Sequence, residues 1–209
     1  FIANPNNPTG TYIPFQEIVE LREKLPKTCL LVIDSAYSEY VNDKNYNDGL
    51  RLAKKRNDII VTHTFSKIYG MPSLRLGWAY CPKIIIEDLN KIRPAFNINS
   101  FAQEIGIEAL SDQGFIAKSI KHNNRWKEWM EKNLSNIGLE IKPSFTNFIL
   151  VKFKSKKLAL DCANFLESKN ILVRTLENYK LAKYLRITIG LEMENRTLVK
   201  NVKYFLSKN

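Results

Sequence analysis

Cysteine is scarce and scattered. Cys29, Cys81 and Cys162 stand far apart and are odd in number, so they offer neither a disulfide framework nor the paired spacing of a zinc site. That usage suits a reducing compartment, and the expected location is the cytoplasm. Histidine is scarcer still: His63 lies beside a lysine-bearing turn and His122 in a basic helical stretch. Neither has sequence neighbours of the kind metal sites use, so no metal is expected. No apolar run approaches the ~20 residues that cross a bilayer, and no signal-peptide pattern is visible. Internal repeats and low-complexity tracts are missing as well.

Charge is abundant but one-sided, at +11 for 209 residues. A basic balance invites a nucleic-acid reading. The densest cluster is Lys152, Lys154, Lys156 and Lys157, with no aromatic series interleaved. Lysine-rich solvated faces explain it more simply, and neither nucleic acid nor membrane is an expected partner. Such a surface also raises the local concentration of phosphorylated substrates. An apolar content of 44% is ordinary for a globular chain of this length.

Three segments carry chemistry. In Thr64-Phe65-Ser66-Lys67 and Leu74-Arg75-Leu76-Gly77-Trp78, an amine able to form an imine sits on a short turn with a guanidinium eight residues behind it. Lysine catalyses through imines, and arginine presents a planar fork that fits phosphate. In Asn4-Pro5-Asn6-Asn7-Pro8-Thr9-Gly10, two prolines and a glycine enforce a loop after the apolar start Phe1-Ile2-Ala3. In Leu30-Leu31-Val32-Ile33-Asp34-Ser35-Ala36-Tyr37, an aliphatic run leads straight into a carboxylate. The run predicts a strand buried on both faces of a parallel sheet, with Asp34 at its carboxyl end, where open α/β sheets bind ligands. A helix N-cap is the plainer role for such an Asp. With a third strand over Ile59-Ile60-Val61-Thr62, three consecutive strands are expected to bring Asn7, Asp34 and Lys67 to one sheet edge.

Asn-Asn-Pro-Thr-Gly, Asp-x-Ala-Tyr, Ser-Lys-x-x-Gly and Leu-Arg-Ile-Thr-Ile-Gly stand here in an order that resembles the fold-type I pyridoxal phosphate enzymes of the class I/II aminotransferase family, over nearly the whole chain. A narrower likeness, to the histidinol-phosphate aminotransferases, rests on Arg93 to Ser100, Thr146 to Leu150 and Ile171 to Arg174. Pro72-Ser73 departs from the Ala-Gly more usual in the lysine loop.

The resemblance implies that Lys67 holds pyridoxal 5'-phosphate as an imine and then acts as base and acid in a 1,3-proton shift. It implies that Asp34 pairs with the pyridine nitrogen, keeping the ring protonated and a better electron sink. Asn7 and Tyr37 would hydrogen-bond the ring's phenolic oxygen. Thr64 and Arg75, with Ser66, would take the cofactor phosphate. Arg186 matches the arginine that grips the substrate's acidic group, and Arg174 is a second candidate anion ligand, equally readable as a surface arginine.

The implied activity is transamination of histidinol phosphate with 2-oxoglutarate, with a phosphorylated amine and an oxo acid as small-molecule partners and a homodimer as the assembly. Threonine-phosphate decarboxylation and aromatic transamination remain open on the same scaffold. So does a non-catalytic ligand-binding regulatory domain. The start at Phe1, one strand before a motif usually interior to the family, predicts a carboxy-terminal fragment.

The pattern as a whole predicts an α/β chain. Residues 1–108 form part of a mostly parallel-sheet, cofactor-binding large domain, and 109–209 a smaller α/β domain. Helices are expected over Pro14 to Leu25, Pro82 to Lys91, Asn99 to Leu110, Phe115 to Ile137, Lys156 to Lys169 and Glu192 to Leu206. Further strands are expected at Leu76 to Cys81, Phe148 to Phe153, Ile171 to Val173 and Leu185 to Ile189.

Overall fold

The computed structural model describes residues 1–208. It divides into two compact units, Phe1–Asn6 with Tyr12–Ile120, and Asn7–Thr11 with the chain from Lys121 onward.

The first unit is built on a four-stranded sheet of β1 (Ile2–Ala3), β2 (Leu31–Asp34), β3 (Ile59–Thr64) and β4 (Gly77–Tyr80), in that spatial order. β1, β2 and β3 are parallel, with Ala3 opposite Asp34 and Asp34 opposite Thr62. β4 returns antiparallel, Thr64 facing Gly77. The α/β, mostly parallel expectation is thus met, with one antiparallel strand at its side. Leu31, Val32, Ile33, Ile59, Ile60 and Val61 are all buried, as parallel strands covered on both faces require.

Helix α1 (Phe15–Lys24) starts after Pro14, whose fixed φ suits a helix entrance, and sends Ile18 into a cluster with Leu31, Ile33, Ala53, Ile59 and Val61. Ala53 comes from the single-turn α2 (Leu50–Ala53). Arg22 of α1 is 1% exposed, an unexpected place for a guanidinium. Its Nη atoms donate to the carbonyls of Cys29, Leu25 and Pro26, and Nε, without a hydrogen-bond partner among the described residues, lies within ion-pair distance of Asp58 at 3.3 Å. Helices α3 (Lys83–Ile92) and α4 (Ser100–Ser111) follow, the latter capped by Asn99, whose side chain accepts from the Ala102 amide at 2.8 Å.

Helix α5 (Gln113–Ser135) holds the division between the units and carries Asn123, Trp126, Met130 and Leu134 into the second. There β5 (Glu140–Lys142), β6 (Phe148–Lys152), β7 (Arg174–Thr175) and β8 (Tyr184–Thr188) form an antiparallel sheet in the order β5-β6-β8-β7. Helices α6 (Lys156–Glu167) and α7 (Glu192–Leu206) cover one face, burying Cys162, Leu166, Val202 and Phe205 against Met130, Ile149, Val151 and Ile187.

One expectation in this unit is corrected, and one strand was not foreseen. Ile171 to Val173 is not a strand. Asn170 takes a left-handed turn (φ 58°) after α6, and the Ile171 amide returns to the Leu166 carbonyl. Ile171 and Val173 then pack on the core while Leu172 stays 82% exposed, so the apolar run serves packing and the ladder begins only at Arg174. β5 had no expectation at all, since Glu-Ile-Lys is too short and polar to signal a strand. Among the described residues no helix is long and apolar enough to cross a membrane.

Candidate active site

In the first unit the parallel register sets the carboxyl ends of β1, β2 and β3 level, and Asp34 stands there exposed. One of its oxygens, Oδ1, accepts from the Ala36 amide at 3.1 Å, a local turn bond that leaves the other for a ligand. Among the described residues no cation pairs with it. The edge is held by Asn4, fully buried, a residue whose part the sequence did not disclose. Its amide N–H donates to the Asp34 carbonyl (2.9 Å), and its side chain exchanges two hydrogen bonds with the Ile13 backbone.

Lys67 sits on the connection between β3 and β4. Phe65 and Ile68 are buried and anchor it. The Phe65 amide donates to the Leu76 carbonyl, Met71 to Phe65, and Gly70 to Lys67. The lysine is thereby displayed on a closed turn, its Nζ 5.3 Å from the ring centroid of the buried Tyr37. No carboxylate pairs with Lys67 among the described residues. Thr64 Oγ1 accepts from the Ser66 amide at 3.0 Å, and Arg75 Nη1 donates to Ser66 Oγ (3.4 Å) and to the Pro72 carbonyl (2.7 Å). Arg75 holds a left-handed backbone (φ 53°), uncommon for a residue with a Cβ and worth attention beside a candidate site. Thr64, Ser66 and Arg75 therefore form one cluster of hydroxyl and guanidinium donors beside the lysine, which is what a phosphate needs.

The second unit holds Asn7, Arg174 and Arg186. Gly10 (φ 76°) closes the Pro-Thr-Gly loop, its carbonyl accepting from the Phe145 amide at 2.7 Å. Arg186 is the middle residue of β8 and donates through Nη1 to Asn7 Oδ1 at 2.6 Å. Its guanidinium carbon lies 5.0 Å from the Phe148 ring centroid, and its shielded Nε has no hydrogen-bond partner among the described residues. A guanidinium held by an amide and an aromatic face, with an N–H left over, is arranged to receive an anion. With Oδ1 committed to Arg186, Asn7 is oriented and its NH2 turned to donate. Arg174, exposed, stands opposite Arg186 across the β7–β8 ladder.

These features define an α/β protein with a lysine-bearing turn, a strand-end carboxylate and side-chain clusters built on Arg75 and Arg186. The chain belongs to the aminotransferase class I and II family, whose description matches residues 1–202. It is 45% identical over 208 residues to the histidinol-phosphate aminotransferase of Maricaulis maris (strain MCS10), covering 99% of this chain and 58% of that protein. The chain thus spans a little over half the length of such curated relatives. The crystal structure of histidinol-phosphate aminotransferase from Sinorhizobium meliloti in complex with pyridoxal-5'-phosphate superposes with a TM-score of 0.92 at 25% identity, covering 99% of this chain and 57% of that one. L-threonine-O-3-phosphate decarboxylase from Porphyromonas gingivalis is also similar, with a TM-score of 0.82 at 25% identity, covering 99% and 63%.

Proposed function

We propose that this chain carries the covalent and anion-binding residues of a pyridoxal phosphate-dependent transaminase that converts histidinol phosphate and 2-oxoglutarate to imidazole acetol-phosphate and glutamate. The observation that carries the reading is Lys67: an amine on a rigid turn, without a carboxylate partner among the described residues, facing Tyr37 and beside Thr64, Ser66 and Arg75. A structural lysine would pair or reach solvent freely. This one is held next to phosphate-type donors, in the same unit as Asp34, which no cation pairs with among the described residues.

The donor set suits pyridoxal phosphate. Thr64, Ser66 and Arg75 would hold its phosphate, Asp34 its pyridine nitrogen, Asn7 and Tyr37 its phenolic oxygen, and Lys67 its aldehyde carbon. Bound there, the cofactor supplies an electron sink for charge developing at the substrate's α-carbon. Lys67, once released, is the base that takes the α-proton and the acid that returns it. Arg186, with Arg174, receives the phosphate of one substrate and the carboxylate of the other, since both present oxygens to the same fork.

The substrate choice draws on the names of relatives such as that of Maricaulis maris, at 45% identity. Decarboxylation is the second reading, supported by the likeness to the Porphyromonas gingivalis enzyme. Carbon dioxide release on a panel of phosphorylated amines separates the two. A homodimer in the cytoplasm is part of the same proposal.

The test uses the full-length protein. Purified with pyridoxal phosphate, it is expected to be yellow, and borohydride is expected to fix the colour-bearing group to Lys67. Lys67→Ala should lose both the imine band and turnover. A wild-type protein that stays colourless with added pyridoxal phosphate would refute the assignment.

A further inference from the structure

His63 is a buried titratable side chain of the lysine-bearing sheet that the proposed chemistry does not use. It lies in β3, 8% exposed, immediately before Thr64. Strand alternation turns it to the face opposite Thr62 and Thr64, so it does not share their side of the sheet. Its ring stacks on Trp78, its register partner on β4, with centroids 4.3 Å apart and planes 7° apart. Nδ1 lies 3.4 Å from Ser38 Oγ and 3.6 Å from Glu39 Oε1, and Nε2 lies 3.5 Å from Asp48 Oδ2.

Those contacts tie together the two segments that carry the candidate catalytic groups. Ser38 and Glu39 belong to the short 3-10 turn Ser38–Tyr40 that begins directly after Tyr37. Asp48 is bound to the strand end from the other side, because Ser35, the neighbour of Asp34, donates its hydroxyl to the Asp48 carbonyl at 2.7 Å. Ser35 in turn donates its amide to the Thr62 carbonyl at 2.9 Å. His63 thus closes a loop of contacts running from Asp34 and Tyr37 to the strand that leads into Lys67.

We propose that His63 is a positioning residue: held by Glu39, Asp48 and Trp78, it locks the Tyr37 turn against β3 and so sets the placement of the Tyr37 hydroxyl relative to Lys67. The inference rests on the proposed cofactor reading and deepens it. Electrostatics are consistent with a clamp. Burial would push the imidazole down, but the carboxylates of Asp48 and Glu39 at ion-pair distance outweigh it and raise its pKa to about 9. The same two carboxylates face the Tyr46 phenol, which burial and their charge push well above its usual value.

The readout is the pH titration of the visible absorption of the lysine-bound cofactor in the full-length holoenzyme. A tyrosine hydroxyl that donates to the ring's phenolic oxygen stabilises the unprotonated imine and lowers the midpoint. His63→Phe keeps the stack on Trp78 and removes both nitrogens. It is expected to raise the midpoint by about half a pH unit or more, since one pH unit corresponds to roughly the strength of one net hydrogen bond. Glu39→Gln, which leaves the histidine in the sheet, is expected to move the midpoint the same way by less, and decides the matter if His63→Phe does not fold.

Arg56→Ala is the control, removing ion pairs to Glu23 and Asp58 elsewhere in the unit. It should lower Tm without moving the midpoint. Midpoints unchanged in the folded variants, whatever their Tm, would overturn the positioning role while leaving the cofactor reading intact. A wild type with no imine band fails at the cofactor step instead and takes the inference with it.

Discussion

Arg174 and Arg186 face each other directly across the β7–β8 ladder. Like charges in directly opposed positions of an antiparallel pair are unfavourable, and no carboxylate pairs with either arginine among the described residues. Arg186 is instead held by Asn7 at 2.6 Å with its Nε unpartnered. A dianion shared between the two forks would relieve that repulsion, which supports the phosphorylated substrate proposed above.

Arg186→Lys keeps the charge and an N–H for Asn7 but removes the fork. Losing one charge-assisted hydrogen bond costs about 1.5–3 kcal/mol, so KM for the phosphorylated amine should rise about tenfold or more. Cofactor affinity, measured by absorbance during dialysis, should change little. Equal loss of both affinities would remove Arg186 from the substrate role. Arg174→Ala should weaken the phosphorylated substrate more than the oxo acid.

Stability should fall on the alkaline side through His63. Its folded pKa of about 9 lies above the 6.5 of an unperturbed imidazole. A raised folded pKa means the stabilisation is fully present below pH 6.5 and is lost as pH rises through about 9. Tm of the wild type should therefore drop across that interval by more than Tm of His63→Phe. Parallel Tm–pH curves for the two proteins would contradict this.

The second unit depends on a tight core under α6. Leu166 is fully buried beside Met130, Ile149 and Phe205. Leu166→Ala should cost ~2–5 kcal/mol, the range for an aliphatic side chain deleted from a packed interior. Chemical denaturation reads this as a lower midpoint with unchanged slope. A loss under about 1 kcal/mol would mean that the cluster collapses to fill the space.

Gly10 occupies φ 76°, and a Cβ there would meet Ser144 Oγ at 2.5 Å. Gly10→Ala is expected to destabilise by at least about 1 kcal/mol from the backbone alone. Because Asn7 lies three residues upstream on the same loop, KM is expected to rise along with the fall in Tm. A variant with wild-type KM and lowered Tm would show that the loop's shape and the anion site are independent.

Most elements could be read from residue order, since their signals are local. Leu31-Val32-Ile33 and Ile59-Ile60-Val61 are aliphatic runs of strand length, and they form β2 and β3. α7 occupies the span that its apolar spacing predicts, Glu192–Leu206, with Leu198, Val202 and Phe205 inward. Ile171 to Val173 failed because an apolar run says only that side chains are buried, and a packed segment without ladder bonds satisfies it equally well. Lys67, Asp34 and Arg75 stood out because each needs a particular residue type at a particular place in a turn or strand end.

His63 looked inert in the sequence, being without metal-like neighbours, yet it touches Glu39 and Asp48, 24 and 15 residues away. Residue order was sufficient for the chemistry on offer: an imine-forming amine, a strand-end carboxylate and guanidinium forks on an α/β frame. Folding settled who meets whom, including Arg174 with Arg186, Asn7 with Arg186, and the burial of Arg22 among carbonyls. Periodicity and turn chemistry act over a few residues and are written in the chain, whereas ladder register and charge pairing join distant segments and exist only once the chain has closed on itself.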